Sequence, residues 1–266
     1  QIVGFNYPTS VADTPLVDLG WNSVDKTKPI VCFIGHNPAT STVVIDYLRE
    51  NDLYDKVEVC GVCCTALETT RYSDRAKVIG PYSRQLFYVR SGIADVIMTD
   101  EQCIRTDMPI EATKADSALI ATLDKVMYGL EDATEMNSDE IVKKMVEEKK
   151  HFAILDPKKA AEVAVKVAMA IAPQRRKGWI TEQEATELAK KCSNCGMCEQ
   201  ACPNLFDIGS GVSQVAKGNY DTIKEIFNLC IGCGKCEEEC PRNLPIMKIM
   251  QVGASKETWK IRAGRG

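Results

Sequence analysis

Eight cysteines in the last third of the chain have the spacing needed to bind iron–sulfur clusters. The pattern C-x2-C-x2-C-x3-C-P occurs twice, first as CSNCGMCEQACP and then as CIGCGKCEEECP. A [4Fe–4S] cube takes one thiolate for each iron, and in proteins with two such runs the fourth cysteine of each run binds the other cluster. The expected ligands of cluster one are Cys192, Cys195, Cys198 and Cys240. Those of cluster two are Cys230, Cys233, Cys236 and Cys202.

Zinc binding and disulfide bonding are the alternatives for these cysteines. Zinc sites typically use C-x2-C pairs that are separated by a wider gap. Disulfides are typical of small secreted domains, whereas this chain has 266 residues. Two complete copies of the run therefore favour two [4Fe–4S] clusters.

The sequence around the two runs predicts helices. Thr181 and Glu184 form a capping-box pattern, and apolar residues then recur at helical spacing as far as Cys192. Apolar residues recur in the same way over residues 212–230, between the runs. We therefore expect an α-helical ferredoxin-like module in which two neighbouring clusters transfer electrons.

Charge and apolar patterning limit the possible partners. The chain has 33 Lys and Arg against 37 Asp and Glu, a net charge of −4, and no basic tract, which argues against a nucleic-acid partner. Its most apolar long stretch, residues 160–172, contains Glu162 and Lys166, so no membrane span is expected. Cluster thiolates require a reducing compartment, which predicts a cytoplasmic protein.

Before the cysteine runs, short apolar segments alternate with helical patterns. This alternation predicts an α/β fold with a Rossmann-like, doubly wound parallel sheet, to which the α-helical ferredoxin domain is added as an insertion. The polar segment 123–150 is expected to form a solvated helical pair that covers the sheet. Strands are predicted over residues 29–35, 56–61, 77–80, 94–99, 117–122 and 151–155, and helices over 38–51, 81–90 and 158–172.

Soft or borderline metal ligands follow three of the predicted strands. His36 follows the first strand, the pair Cys63–Cys64 follows the second, and Cys103 follows the strand over 94–99. Each residue alone is weak evidence, because a single cysteine is usually a small core residue. Ligands bind outside the carboxyl ends of the strands in such sheets, so we expect these side chains to share one metal site.

The remaining cysteines and the second histidine are expected to be structural. Cys32 and Cys60 fall within strands, which indicates core positions, and His151 opens a strand instead of following one. No GxGxxG pattern occurs, so a nicotinamide or flavin site is not supported.

Three segments give the chain a family resemblance. IGHNP around His36, GVCCT around Cys63–Cys64 and DEQCIRTD around Cys103 resemble the active-site segments of nickel–iron carbon monoxide dehydrogenases. The tandem cysteine runs resemble those of the archaeal type, the α subunits of acetyl-CoA decarbonylase/synthase complexes. The resemblance covers nearly all of the chain from residue 29 onward.

The resemblance implies a reaction, a cofactor and partners. The reaction is CO + H2O ⇌ CO2 + 2 H⁺ + 2 e⁻ at a Ni–Fe–S cluster. His36 and Cys64 would bind the iron outside the cube, with Cys63 as the alternative to Cys64, and Cys103 would bind an iron of the cube. The two [4Fe–4S] clusters would relay electrons to an external ferredoxin. The other implied partners are the remaining subunits of the complex and a homodimeric core.

Four regions are expected along the chain. Residues 1–28 form an irregular segment, and residues 29–173 a Rossmann-like domain with part of the ligands of the active cluster. Residues 174–252 form the domain with two [4Fe–4S] clusters, and residues 253–266 a tail that leads to a missing C-terminal domain.

The chain also departs from the family it resembles. Nickel–iron carbon monoxide dehydrogenases take further cluster cysteines from other regions, whereas no cysteine precedes Cys32 or follows Cys240 here. We therefore expect a middle portion of a longer subunit, which alone binds two [4Fe–4S] clusters but does not oxidise CO. Two rival interpretations are a hybrid-cluster (prismane) type oxidoreductase and a non-catalytic iron–sulfur electron-transfer subunit.

Overall fold

A parallel β-sheet with helices on both faces organises the structure. The computed structural model describes residues 16–20, 23–102, 104–175, 180–254 and 259–262. None of the helices in these ranges combines the length and the apolar character that a membrane span requires.

The sheet has the strand order β7-β8-β6-β5-β2-β3-β4-β1-β9 in the described part of the chain. All neighbouring strands are parallel except β1 and β9, which are antiparallel. The order changes direction at β2 and β5, which are neighbours in the sheet, as expected for a doubly wound fold. The predicted α/β class, with a parallel sheet and flanking helices, is therefore confirmed. The strands are β1 (Leu16–Leu19), β2 (Ile30–Ile34), β3 (Glu58–Val62), β4 (Lys77–Gly80), β5 (Val96–Thr99), β6 (Ala118–Ala121), β7 (Glu131–Asp132), β8 (Phe152–Ala153) and β9 (Trp259–Arg262).

Twelve α-helices connect and cover the strands within the described ranges. Two short 3-10 helices, Tyr82–Arg84 and Asp124–Val126, lie between them. The helices are α1 (Ala39–Glu50), α2 (Cys63–Tyr72), α3 (Gln85–Arg90), α4 (Met108–Lys114), α5 (Ser138–Glu147), α6 (Pro157–Arg175), α7 (Glu182–Ala189), α8 (Met197–Ala201), α9 (Ile208–Val215), α10 (Asp221–Leu229), α11 (Lys235–Glu238) and α12 (Ile246–Ala254).

Alternating side chains of the central strands enter two different cores. In β2, Val31 and Phe33 pack under helices α1, α5 and α6. Cys32 and its neighbours at alternate positions pack on the opposite face, in a core that also contains Ala185, Val212 and other residues of the cysteine-rich helices. Every residue of β2 is buried, as expected for a strand that is covered on both faces.

The cysteine-rich helices contact the sheet domain through aromatic residues. Phe87 of α3 packs edge-to-face against Phe227 of α10, with ring centroids 4.8 Å apart and an angle of 84° between the planes. Gly232 lies against the backbone of Phe87, and a Cβ at position 232 would overlap that backbone. The two regions are therefore in close contact at this point.

Two edge segments differ from the sequence-based expectation. Within residues 1–28, which are predicted to be irregular, β1 pairs with β9 from residues 253–266, which are predicted to be a tail. Each of these strands has four residues, too few to show a clear alternation, and their pairing joins segments more than 200 residues apart in sequence. Segment 123–150 contains one α-helix, α5, and not two, because Gly129 turns the chain with φ +81° and β7 then joins the sheet edge. The predicted domain boundaries stay a prediction.

The close approach at Gly232 predicts a large effect of adding one methyl group. Gly232→Ala should lower the free energy of unfolding by about 2–4 kcal/mol, because it adds a clash with Phe87 to the strain of a left-handed alanine. Gly218→Ala is the matched control, since Gly218 has φ +82° against +73° at Gly232 and has open space around its Cα. Gly218→Ala should lower the free energy of unfolding by about 1 kcal/mol. Anaerobic urea unfolding measures both values, and equal losses would contradict the close packing.

Candidate metal centres

His36 and the pair Cys63–Cys64, which are predicted ligands of the active cluster, follow neighbouring strands. His36 lies two residues after the end of β2, and Cys63 is the first residue of α2, directly after β3. Asp100 directly follows β5, and β2 is hydrogen-bonded to both β3 and β5. His36 is exposed, whereas Cys63 and Cys64 are partly buried. Cys103 lies outside the described residues.

One buried carboxylate joins the three segments that follow β2, β3 and β5. Asp100 Oδ1 accepts hydrogen bonds from the backbone N–H groups of His36, at 2.5 Å, and Asn37, at 3.0 Å. The N–H group of Glu101 also donates to this oxygen. Asp100 Oδ2 accepts the hydroxyl of Thr65 at 2.6 Å. Asp100 is 3% exposed, so these donors replace the water that it has lost.

Backbone hydrogen bonds support the same arrangement. The N–H group of Thr65 donates to the carbonyl of Gly35 at 3.2 Å, and the N–H group of Asp100 donates to the carbonyl of Ile34 at 3.2 Å. Thr65 follows Cys64 and Gly35 precedes His36, so the backbone segments that carry the two predicted ligands are one hydrogen bond apart.

Burial raises the pKa of the Asp100 carboxyl, and its hydrogen bonds to Thr65 and to three backbone N–H groups oppose that rise. A carboxylate can accept all of these bonds at once, because each ionised oxygen is only an acceptor. The ionised form of Asp100 therefore matches its surroundings in spite of burial.

Gly35 allows the carboxylate to come this close. A Cβ at position 35 would overlap the Asp100 carboxyl group, and Gly35 has φ +148°, a conformation that other residues rarely adopt. The glycine in the IGHNP segment therefore has a specific packing role at this site.

The turn after β3 holds two sulfur atoms next to each other. Cys63 has φ +69°, a left-handed conformation that is uncommon for a residue with a side chain and that recurs at functional sites. Its Sγ lies 3.6 Å from Sγ of Cys64. Both sulfurs are thus located at the carboxyl edge of the sheet, and either could be a metal ligand.

Each residue that was expected to be structural has a partner within the fold. Cys32 and Cys60 are paired residues of β2 and β3, and each is 2% exposed. A hydrogen bond with Cys32, together with burial, raises the pKa of Cys60, which favours the neutral thiol. His151 Nδ1 accepts the N–H group of Leu119 at 3.2 Å, and its Nε2 lies 2.8 Å from the Thr113 hydroxyl.

The eight cysteines of the tandem runs line two separate cavities. Each cavity is lined by three cysteines of one run and the fourth cysteine of the other. The space between the lining atoms is about 350 Å³ in the first cavity and about 380 Å³ in the second, including open solvent. The first is lined by Cys192, Cys195, Cys198 and Cys240. The second is lined by Cys202, Cys230, Cys233 and Cys236.

The two runs have the same local backbone. A glycine with a left-handed φ precedes each short helix, Gly196 before α8 and Gly234 before α11. In each run, the backbone N–H two residues after the first cysteine donates to the sulfur of that cysteine. The distance from N of Asn194 to Sγ of Cys192 is 3.4 Å, and that from N of Gly232 to Sγ of Cys230 is 3.3 Å. Such N–H···S contacts stabilise negative charge on sulfur, which suits a cluster ligand.

The donor set fits a cluster better than a single metal ion. Among the described residues, no three His, Cys, Asp or Glu side chains come close enough together to hold one ion. The donors at each cavity are four thiols arranged around a space, as a [4Fe–4S] cube requires. Burial raises the pKa of Cys198, Cys230 and Cys236, so binding a cluster there must displace protons from these thiols.

Comparison with known proteins gives consistent matches. Residues 3–249 match the profile described as the Prismane/CO dehydrogenase family. The chain is 46% identical to the acetyl-CoA decarbonylase/synthase complex subunit alpha of Methanocaldococcus jannaschii, over 100% of this chain and 35% of that protein. It is 45% identical to subunit alpha 1 of that complex from Methanopyrus kandleri, over 100% of this chain and 36% of that protein.

A solved structure of alpha subunits of acetyl-CoA synthase/carbon monoxide dehydrogenase aligns with a TM-score of 0.47 and 15% identity, over 92% of this chain and 42% of that one. The chain spans about a third of the length of the curated relatives it matches.

Proposed function

The chain belongs to the Prismane/CO dehydrogenase family, and on that premise we propose that it is part of a nickel–iron carbon monoxide dehydrogenase. The proposed reaction is the reversible oxidation of CO by water to CO2, two protons and two electrons, within acetyl-CoA cleavage or synthesis. The observation that carries this proposal is the Asp100 carboxylate, which joins the loop of His36 to the first turn of α2, which carries Cys64, at the switch point of the sheet.

Each predicted ligand has a role in the proposed centre. The imidazole of His36 and the thiolate of Cys64, or of Cys63, would hold the iron outside the cube, and Cys103 would hold an iron of the cube. A Ni–Fe–S centre supplies Lewis acidity and accepts electrons when it is bound. His36 must be neutral to act as a ligand, and its exposed position leaves room for small substrates to approach.

The tandem runs would carry the electrons. Each cavity takes cysteines from both runs, so the two proposed clusters are neighbours that are connected through the same two segments of chain. Such an arrangement suits transfer of single electrons between the active centre and an external ferredoxin. The other subunits of an acetyl-CoA decarbonylase/synthase complex and a second copy of the subunit are the further proposed partners.

Replacing His36 tests the proposed catalytic centre. In the intact subunit, His36→Ala should lower CO oxidation on the order of 100-fold, because a metal ligand is lost. His151→Ala is the matched control, since His151 bonds to Thr113 and Leu119 away from the site, and should retain activity. Unchanged CO oxidation in His36→Ala would support the electron-carrier interpretation. Iron without nickel in the active unsubstituted protein would support the hybrid-cluster interpretation.

Paired cysteine substitutions test the exchange of ligands between the runs. Cys192→Ala with Cys240→Ala removes two ligands from one proposed cluster, so one unperturbed [4Fe–4S] EPR signal should remain and about four irons should be lost. Cys192→Ala with Cys202→Ala removes one ligand from each cluster, so neither signal should remain unperturbed. The opposite pattern would show that each run binds its own cluster.

A further inference from the structure

Two arginines of the sheet domain bind the backbone of the loop that carries the ligands of cluster two. Arg84 Nε donates to the carbonyl of Cys230 at 2.9 Å, and its Nη2 donates to the carbonyl of Phe227. Arg90 Nη1 donates to the carbonyl of Gly232 at 3.1 Å and to the carbonyl of Cys233. Both guanidinium groups are therefore fixed beside the Cys230–Cys233 loop.

The two arginines differ in how their charge is compensated. Arg90 Nε forms an ion pair with Glu111 at 2.7 Å, and Glu111 is 4% exposed. Within the described ranges, no carboxylate forms an ion pair with Arg84, whose guanidinium lies 4.9 Å from the ring centroids of Phe87 and Phe227. In the described part of the chain, Arg84 therefore has no acidic partner, while Arg90 shares the carboxylate of Glu111 with Lys114.

Other charges near the clusters are arranged differently. Glu237, beside Cys236, is an acidic residue near cluster two and accepts the N–H group of Met247 at 2.7 Å. Arg242 lines the cavity of cluster one, but it is exposed, so solvent and salt screen it. Arg84 is partly buried, which makes its charge less screened.

We propose that Arg84 is a positioning residue that holds the Cys230–Cys233 loop on the sheet domain and raises the reduction potential of cluster two. Reduction adds one electron to the cluster, from the active centre or from the external ferredoxin, and makes it one unit more negative. A fixed cation nearby stabilises that reduced state, because net charge and hydrogen bonding set cluster potentials. This inference rests on the proposed function, since it requires that cluster two is bound.

EPR-monitored redox titration of the intact subunit tests the proposal. Cluster two can be assigned in the background of Cys192→Ala with Cys240→Ala, in which it should remain alone. Arg84→Gln should lower the ratio of reduced to oxidised cluster two about tenfold at a fixed ambient potential, a shift of about 59 mV for a one-electron couple. Arg84→Lys keeps the positive charge, so its reduction potential should stay close to that of the unsubstituted protein. Arg90→Gln should also lower the ratio, because it removes a positive charge beside the same loop and leaves Glu111 negative.

Glu111→Gln is a second variant that leaves the hydrogen bonds of both arginines to the loop in place. It removes the negative charge beside Arg90 and should therefore raise the potential of cluster two, the opposite sign to Arg84→Gln. An unchanged potential in Arg84→Gln, at unchanged iron content, would overturn the role of Arg84. An unchanged potential in Glu111→Gln would overturn the electrostatic reason given for it. An unsubstituted protein without [4Fe–4S] EPR signals would instead overturn the proposed function, and this inference with it.

Discussion

The candidate active site depends on the buried carboxylate of Asp100. Strands β2, β3 and β5 end side by side at the switch point. Parallel strands alone do not fix the position of the segments that follow them. Asp100 accepts hydrogen bonds from the loop after β2, from the start of α2 and from its own loop. Removing such an acceptor leaves several donors without a partner, which is costly in a buried position. The loop positions are therefore coupled, and a change in one loop is expected to affect the other two.

The proposed electron path depends on a second constraint, the contact between the cysteine-rich helices and the sheet. Gly232 packs against the Phe87 backbone, and the two arginines bind carbonyls of the same loop. These contacts fix the second cysteine cavity against the domain that carries His36. The first cavity contains the exposed Cys195, whereas the cysteines of the second cavity are buried or partly buried.

Much of the fold could be predicted from sequence because its signals are local. The strand at Lys77–Gly80 has the predicted bounds, and helix α6 begins at Pro157 with Asp156 accepting the N–H group of Lys159. The capping box of Thr181 and Glu184 is present with both of its hydrogen bonds. Strands β1 and β9 could not be predicted, since their pairing joins distant segments of four residues each.

The candidate site could be predicted only in part, because some of its contacts join residues that are distant in sequence. The positions of His36 and Cys63–Cys64 after their strands follow from local pattern. Asp100 was missed as a site residue, because its role depends on donors that lie 35 and 64 residues away in sequence. Its position as the first residue after β5, opposite a glycine that follows β2, is the signal that could have indicated it.

The metal content of Asp100 variants tests the central claim most directly. If Asp100 holds the loops together, Asp100→Ala in the intact subunit should lose nickel and the iron of the active centre, while about eight irons of the two [4Fe–4S] clusters remain. Asp100→Asn should retain much more nickel, because its amide oxygen can still accept the backbone N–H groups and its amide nitrogen can donate to Thr65. Full nickel content and unchanged CO oxidation in Asp100→Ala would contradict the account.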